Sequence, residues 1–329
     1  MTEPRLDVLA IGDAIVDVIA SAEESFLVDE GLVKGSMRLI DAEEATRLYT
    51  HMGQARETSG GSAANTMAGI AAMGGRAGFV GQVAGDQLGE IFAHDIRALG
   101  VEYRTPPLGD SASPTGRCLI LVTPDGQRTM NTFAGASHRL AAAALDPDQI
   151  RGAAILYLEA YLWVPDSPRE AMLEAIEIAH RAGRKVALTL SDIACIAKRR
   201  DSLLALVGRG AVDLLFANEQ EMRSLAGEDD FDRALAAFCR DVPRIVVTCS
   251  EKGAIAVEGR RRVEVPAAPV AKVVDTTGAG DLFAAGFLFG QSHGRSLEES
   301  LRLGSLAAAE IISHFGARPE ADLGALVAS

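Results

Sequence analysis

An alternation of segment types limits this chain more than any other feature. Short aliphatic runs recur along it: LDVLAIG (6–12), RAGFVGQV (76–83), AILYLE (154–159), KVALTL (185–190), VDLLFA (212–217), RIVVTC (244–249) and GAIAVE (253–258). A short run that stays apolar throughout reads as a strand buried on both faces. Longer amphipathic stretches with legible ends lie between them. SAANTMAGIAAMGG finishes on Gly74 and Gly75, Asp86 and Gly100 bracket DQLGEIFAHDIRALG, and Pro168 and Gly183 bracket SPREAMLEAIEIAHRAG. An acid or proline at the start and a glycine past the end mark helix caps. Such alternation specifies an α/β fold, a three-layer α/β/α sandwich around a mainly parallel central sheet.

Two regions break the rhythm, at about 13–40 and 102–135. The first holds DAIVDVIAS and GSMRLID. In the second, Pro124-Asp125-Gly126 separates two alternating stretches and predicts a β-hairpin. Antiparallel pieces inserted into a parallel fold are placed to form a small β-lid. They would cover the crevice at the strand C-termini, where open α/β sheets bind ligands. The expectation is one domain over residues 1–329, with a lid built from those two insertions.

A formal net charge of −13 argues against nucleic acid or an anionic membrane as partner, because both need a basic face. It leaves room for a small anion held by local dipoles. Cys118, Cys195, Cys239 and Cys249 show no C-x-x-C spacing and read as small buried apolar groups. The first residues carry early acids rather than a signal peptide, and no apolar run reaches membrane-spanning length. A reduced, cytoplasmic protein is expected, as a monomer or a homodimer.

VVDTTGAGDLFAAGF (273–287) is the stretch that asks for chemistry. Glycine costs about 1 kcal/mol relative to alanine in a helix, so Gly278 and Gly280 at a helix start need a reason. A helix start presents unsatisfied N–H groups and roughly half a positive charge, and glycines let an oxygen approach those amides closely. GAGD thus reads as an oxyanion or phosphate nest followed by a carboxylate, Asp281, placed to take a proton from an attacking hydroxyl. Taken alone, it fits a tight helix contact with a capping acid equally well. No GK[ST] of a phosphate-binding Walker loop occurs. The third glycine of a dinucleotide fingerprint is also missing, with Asp213 and Phe283 in the required places, which disfavours a dehydrogenase.

With SGGSAANTMAGIAAMGG (59–75) and DTTGAGDLFAAGF (275–287) together, the chain resembles the ribokinase-like, or PfkB, family of carbohydrate and nucleoside kinases over nearly its whole length. GGSAAN and GLVKGSMRLID look most like bacterial adenosine-kinase-type members. The resemblance implies transfer of the ATP γ-phosphate to a primary hydroxyl, with Mg²⁺ and, in some members, K⁺. Asp281 matches the family's catalytic base, and Gly278, Ala279 and Gly280 its anion hole. Arg128 matches a lid arginine that reaches the transferred phosphate. Asp13 and Asp17 match substrate acids, and a carboxylate such as Asp17 suits a vicinal diol. Gly60 and Gly61 match a diglycine against which a sugar lies, and Asn65 an amide that contacts a hydroxyl. Asn218 and Glu221 resemble an NxxE motif that orders Mg²⁺ through water.

Thr248 and Gly253 in VTCSEKGA match residues bordering ATP, although Ser250 stands where many relatives have glycine. Ser305 and Ala308 match a helix flanking adenine. Asp275 and Thr277 resemble a monovalent-cation site. Glu159, ending a strand, is a further candidate hydroxyl acceptor. Met37, Phe133, Tyr161, Leu162 and Trp163 either line an apolar slot for a base or belong to the core. Adenosine is the expected acceptor, with a sugar such as ribose, fructose or ketodeoxygluconate as runner-up. A non-catalytic metabolite-binding protein on the same scaffold is the third reading.

Overall fold

A computed structural model describes residues 4–109 and 113–328, so residues 110–112 of the second insertion lie outside the described residues. The strands are β1 (Leu6–Ile11), β2 (Ile15–Ser21), β3 (Met37–Leu39), β4 (Ala55–Gly60), β5 (Ala77–Val80), β6 (Glu102–Tyr103) and β7 (Gly116–Val122). They continue with β8 (Arg128–Phe133), β9 (Ala153–Glu159), β10 (Lys185–Thr189), β11 (Leu214–Asn218), β12 (Arg244–Thr248), β13 (Ala254–Glu258) and β14 (Arg261–Val265). A large sheet has the order β14-β13-β12-β11-β10-β9-β1-β5-β6. It is parallel from β12 to β6, and only the β13 and β14 pairings are antiparallel.

The unbroken apolar runs are explained by burial on both faces. Ile155 and Tyr157 of β9 pack on one side with the Ser62–Ala72, Ala279–Ser292 and Leu297–Ile311 helices, while Leu156 and Leu158 join a second core with the Asp166–Arg181 and Ile193–Gly208 helices. In β11, Leu214 and Phe216 likewise oppose Leu215 and Ala217. Each such side chain, fully buried, contributes roughly 1.5–3 kcal/mol. The first core also holds edge-to-face aromatic contacts, Tyr157 to Phe216 at 6.0 Å and Phe216 to Phe287 at 5.5 Å. The expected three layers are present.

The lid is a separate sheet of order β3-β8-β7-β2-β4. The hairpin around Gly126 is there, with β7 antiparallel to β8. Two expected boundaries need correction. The first insertion runs on to Gly60, because ARETSG pairs with β2 as strand β4, and Glu102–Tyr103 belongs to the large sheet beside β5. One lid face is core, with Val16, Val18, Leu119 and Leu121 packed near Leu48. The other carries Ile120 with Ile19 and Val122.

Strand order reverses between β1 and β9, since the chain runs from β1 outward through β5 to β6 and then returns to β9. Ligands of open α/β sheets bind at such a switch point, outside the strand C-termini. Among the described residues no helix is long and apolar enough to cross a membrane.

Candidate active site

The segment after β1, the end of β9 and two helix starts converge at the switch point. Glu159 is fully buried, and its carboxylate accepts the backbone N–H of Asp13 at 2.6 Å and of Ala63 at 2.7 Å. Burial and the neighbouring Asp13 charge push its pKa well up. The expected hydroxyl acceptor is therefore a staple joining the β1 loop to the Ser62–Ala72 helix. Asp13 beside it is 6% exposed and accepts a hydrogen bond from the Ser137 hydroxyl.

The Ser62–Ala72 and Ala279–Ser292 helices approach closely because Gly69 lacks a side chain. A Cβ there would stand 2.7 Å from Leu282 and 2.8 Å from Ala285. The contact brings Ser62 and Asn65, neighbours on one helix face, to Asp281 in the first turn of the facing helix. Ser62 Oγ donates to Asp281 Oδ1 at 2.6 Å, and Asn65 Nδ2 donates to Oδ2 at 2.9 Å. Burial raises the Asp281 pKa, while these two bonds and the Arg318 charge oppose it. Asn65 Oδ1 is buried without a hydrogen-bond partner, so it can accept from a ligand hydroxyl. Gly278 caps the Asp281 helix in the left-handed region at φ 79°, backed by Ala317. Gly280 is exposed, with nothing within 4 Å of where a Cβ would stand. Its surroundings leave an anion room to approach.

Asn65 lines a cavity of about 570 Å³ between the lid and the C-terminal loop. Asp17, Ile19, Ile120 and Val122 form the lid wall, and Phe315 to Arg318 face them. The strand period explains that wall: Asp17 and Ile19 are two apart on β2, and Ile19 pairs with Ile120 of β7. Gly60 makes room for the Asp17 carboxylate, and Gly61 for the main chain of Asp13. A Cβ on Gly60 would stand 2.5 Å from the Asp17 carboxylate, and one on Gly61, at φ 94°, would stand 2.2 Å from the Asp13 carbonyl oxygen. Burial raises the Asp17 pKa to about 6, with Arg318 and Arg128 pulling it down.

Arg128 lines the same cavity, but its guanidinium is paired with Asp275 at 2.8 Å, both side chains being nearly buried. The expectation that Arg128 reaches a phosphate is thus corrected for this conformation. The Asp275 carboxylate also accepts from Thr277 N and Oγ1 at 3.1 and 2.8 Å and from Gly316 N at 3.0 Å. Those donors and Arg128 fill the roughly four lone-pair positions of a carboxylate. Asp275 and Thr277 therefore brace the loop.

The sequence matches the description "pfkB family carbohydrate kinase" over residues 6–322. The chain belongs to the PfkB family. A probable sugar kinase from Rhizobium etli CFN 42 is 48% identical, with TM-score 0.91 and coverage of 99% of this chain and 98% of that one. Adenosine kinase from Sinorhizobium meliloti is 50% identical, with TM-score 0.91 and coverage of 98% and 99%. A cytidine kinase from Thermococcus kodakarensis is 42% identical over 122 residues, 36% of this chain and 43% of that one. As a PfkB kinase, the protein is an ATP-dependent phosphotransferase with an alcohol acceptor.

The remaining expected residues of the kinase fall into three groups. Asn218 and Glu221 form a capping box: Asn218 Oδ1 accepts Glu221 N, while Asn218 N and Nδ2 donate to the Glu221 carboxylate at 2.9 and 2.8 Å. Burial raises the Glu221 pKa to about 7. Each oxygen retains a lone pair, a donor set suited to Mg²⁺ held through its waters. Thr248 ends β12, and Gly253, at φ 103°, lets the main chain pass 2.0 Å from where its Cβ would meet Val265 O. Ser250 adopts φ 53°, the left-handed region that explains glycine in relatives. Ser305 and Ala308 lie on the Leu297–Ile311 helix, which packs on β13 and β14.

In the third group, the expected base slot, Leu162 and Trp163 belong to the core, and Met37 is 46% exposed on the edge strand β3. Sequence reasoning also missed Ser62 and Arg318. The i, i+3 spacing of Ser62 and Asn65 was the available signal for the first. GARP near the C-terminus offers none for the second, whose contacts are all distant in sequence.

Proposed function

We propose that this PfkB kinase converts adenosine to AMP. The observation that carries the reading is the lid wall, which sets Asp17 beside an apolar surface of Ile19, Ile120 and Val122 facing Phe315. Asp17 accepts the vicinal diol of a ribose, and the apolar surface covers a flat base. A bare sugar would leave that surface unfilled. The 50% identity to the Sinorhizobium meliloti adenosine kinase supports the same acceptor.

In this reading the whole described chain works as one kinase unit. Bound Mg²⁺-ATP supplies the phosphoryl group and spreads the charge of its transfer. Asp281, aimed by Ser62 and Asn65, takes the proton as the O–H bond of the acceptor breaks and the new O–P bond forms. The P–O bond from the γ-phosphorus to the ADP oxygen breaks, ADP being the leaving group. The amides of Gly278, Ala279 and Gly280 hold the phosphoryl oxygens, and Asn65 Oδ1 accepts from an acceptor hydroxyl. Asn218 and Glu221 hold the hydrated Mg²⁺. Thr248, Gly253, Ser305 and Ala308 border the nucleotide.

Release of ADP, measured with Mg²⁺-ATP against adenosine, inosine, ribose, fructose and ketodeoxygluconate, tests the acceptor. Adenosine should give the highest kcat/KM, and a sugar ahead of it by about tenfold overturns the nucleoside reading. Asp281→Asn should lower kcat by about 10²–10⁴ while the variant still binds adenosine.

A further inference from the structure

Arg318 is a half-buried cation that reaches the site from the C-terminal loop. Its Nη1 donates to Ala64 O at 2.9 Å, and its Nη2 donates to Ser59 O and Ser59 Oγ, each at 2.8 Å. Those acceptors flank the Gly60-Gly61-Ser62 turn. Arg318 Nε is buried without a hydrogen-bond partner, and the side chain lines the acceptor cavity. The loop that carries it is pinned at both ends. Gly316 N donates to Asp275, while Glu320 N and Ala321 N donate to Glu310 Oε1, each at 2.9 Å. The guanidinium therefore has little freedom to leave.

Three carboxylates feel its charge: Asp17 from the lid, Asp95 from the Gln87–Ala98 helix and Asp281 from the base of the site. Asp95 in turn accepts from Ser59 N at 2.8 Å and Thr58 Oγ1 at 3.2 Å. The other groups facing Asp281 are Ser62 and Asn65 on their helix, with Glu159 and Tyr157 of β9 and Tyr161 just beyond it also feeling its charge, while Asp17 also feels Arg128. A half-buried cluster of acids is eased by a fixed counter-charge, and a guanidinium supplies one that does not titrate.

We propose that Arg318 is a positioning residue for the transfer: it clamps the turn that aims Ser62 and Asn65 at Asp281, and it balances the charge of Asp17, Asp95 and Asp281. The proposal rests on Asp281 being the base. Removing the charge leaves the acids to repel one another, so the proton-accepting form of Asp281 is lost at higher pH. Replacing the fork by an ammonium keeps the charge but not the paired bonds to Ser59 and Ala64.

The test is the pH dependence of kcat for the full chain with Mg²⁺-ATP and the best acceptor of the panel, in Arg318→Met and Arg318→Lys, with melting curves as the check on folding. In Arg318→Met the acidic limb should move up by about one pH unit, with kcat at neutral pH down by about 10²-fold. Arg318→Lys should keep the limb in place and lose about tenfold in kcat, the KM for ATP staying within about twofold. A folded Arg318→Met with an unmoved limb overturns the proposal. If that variant does not fold, the lysine variant decides: wild-type kcat, or a displaced limb, overturns it. Asp281→Asn run alongside separates the failures. If that variant stays active, the base assignment is wrong. If it is inactive while both Arg318 variants behave as wild type, only the role given to Arg318 falls.

Discussion

Asp17 shows how a residue can serve the site at the expense of the fold. Burial raises its pKa to about 6, above the ordinary carboxylate range, so folding favours its protonated form. As pH falls through that window the folded state gains stability relative to the unfolded chain, and above it the ionised acid is a cost. Asp17→Asn should therefore raise stability at neutral pH by roughly 1–2 kcal/mol, read from urea unfolding. The same change should raise the acceptor KM steeply. The wild-type kcat/KM should fall as pH drops below about 6, because a protonated Asp17 no longer accepts both diol hydrogens. Residues with a local signature were legible in the sequence, such as Asp281 after its glycines and Asn65 in GGSAAN. Asp13 and Glu159 were less legible, because a carboxylate at a strand end looks the same whether it receives a ligand or the backbone of a neighbouring loop.

At the level of elements, the helix starts and the loop before Gly278 carry the arrangement. Gly278 sits at φ 79° with Ala317 3.0 Å from where its Cβ would stand, so Gly278→Ala combines backbone strain with a clash. It should cost about 1–3 kcal/mol of stability and reduce kcat more than the acceptor KM, measured by melting and by initial rates. The Arg128–Asp275 pair joins β8 of the lid to that loop, with side-chain exposures of 8% and 9%. Asp275→Asn alone should destabilise by about 3 kcal/mol, since it leaves a buried guanidinium uncompensated. Adding Arg128→Met should return part of the loss, and equal stabilities for the single and double variants in urea would rule the pair out. The central strands were readable because burial on both faces removes every polar alternate. β4 was not, because ARETSG is polar and becomes a strand only by pairing with β2.

On the scale of the whole molecule, the lid and the sandwich meet around the cavity, and a bound acceptor would touch both. Saturating adenosine at about 100 times its Kd should stabilise the protein by about 2.7 kcal/mol. A thermal scan with and without ligand checks this, and ribose at equal concentration should shift the midpoint less. The net charge of −13 leaves an anionic substrate to local dipoles, which the start of the Ala279–Ser292 helix supplies. The strand β2 also works as a ruler. It sets Asp17 and Ile19, which in the proposed reading grip the sugar and cover the base, one pleat apart, on a sheet separate from Asp281. Acceptor choice can thus drift by refilling Ile19 and Ile120, with the transfer apparatus left as it stands. One catalytic chassis can serve many alcohols through changes confined to its cover.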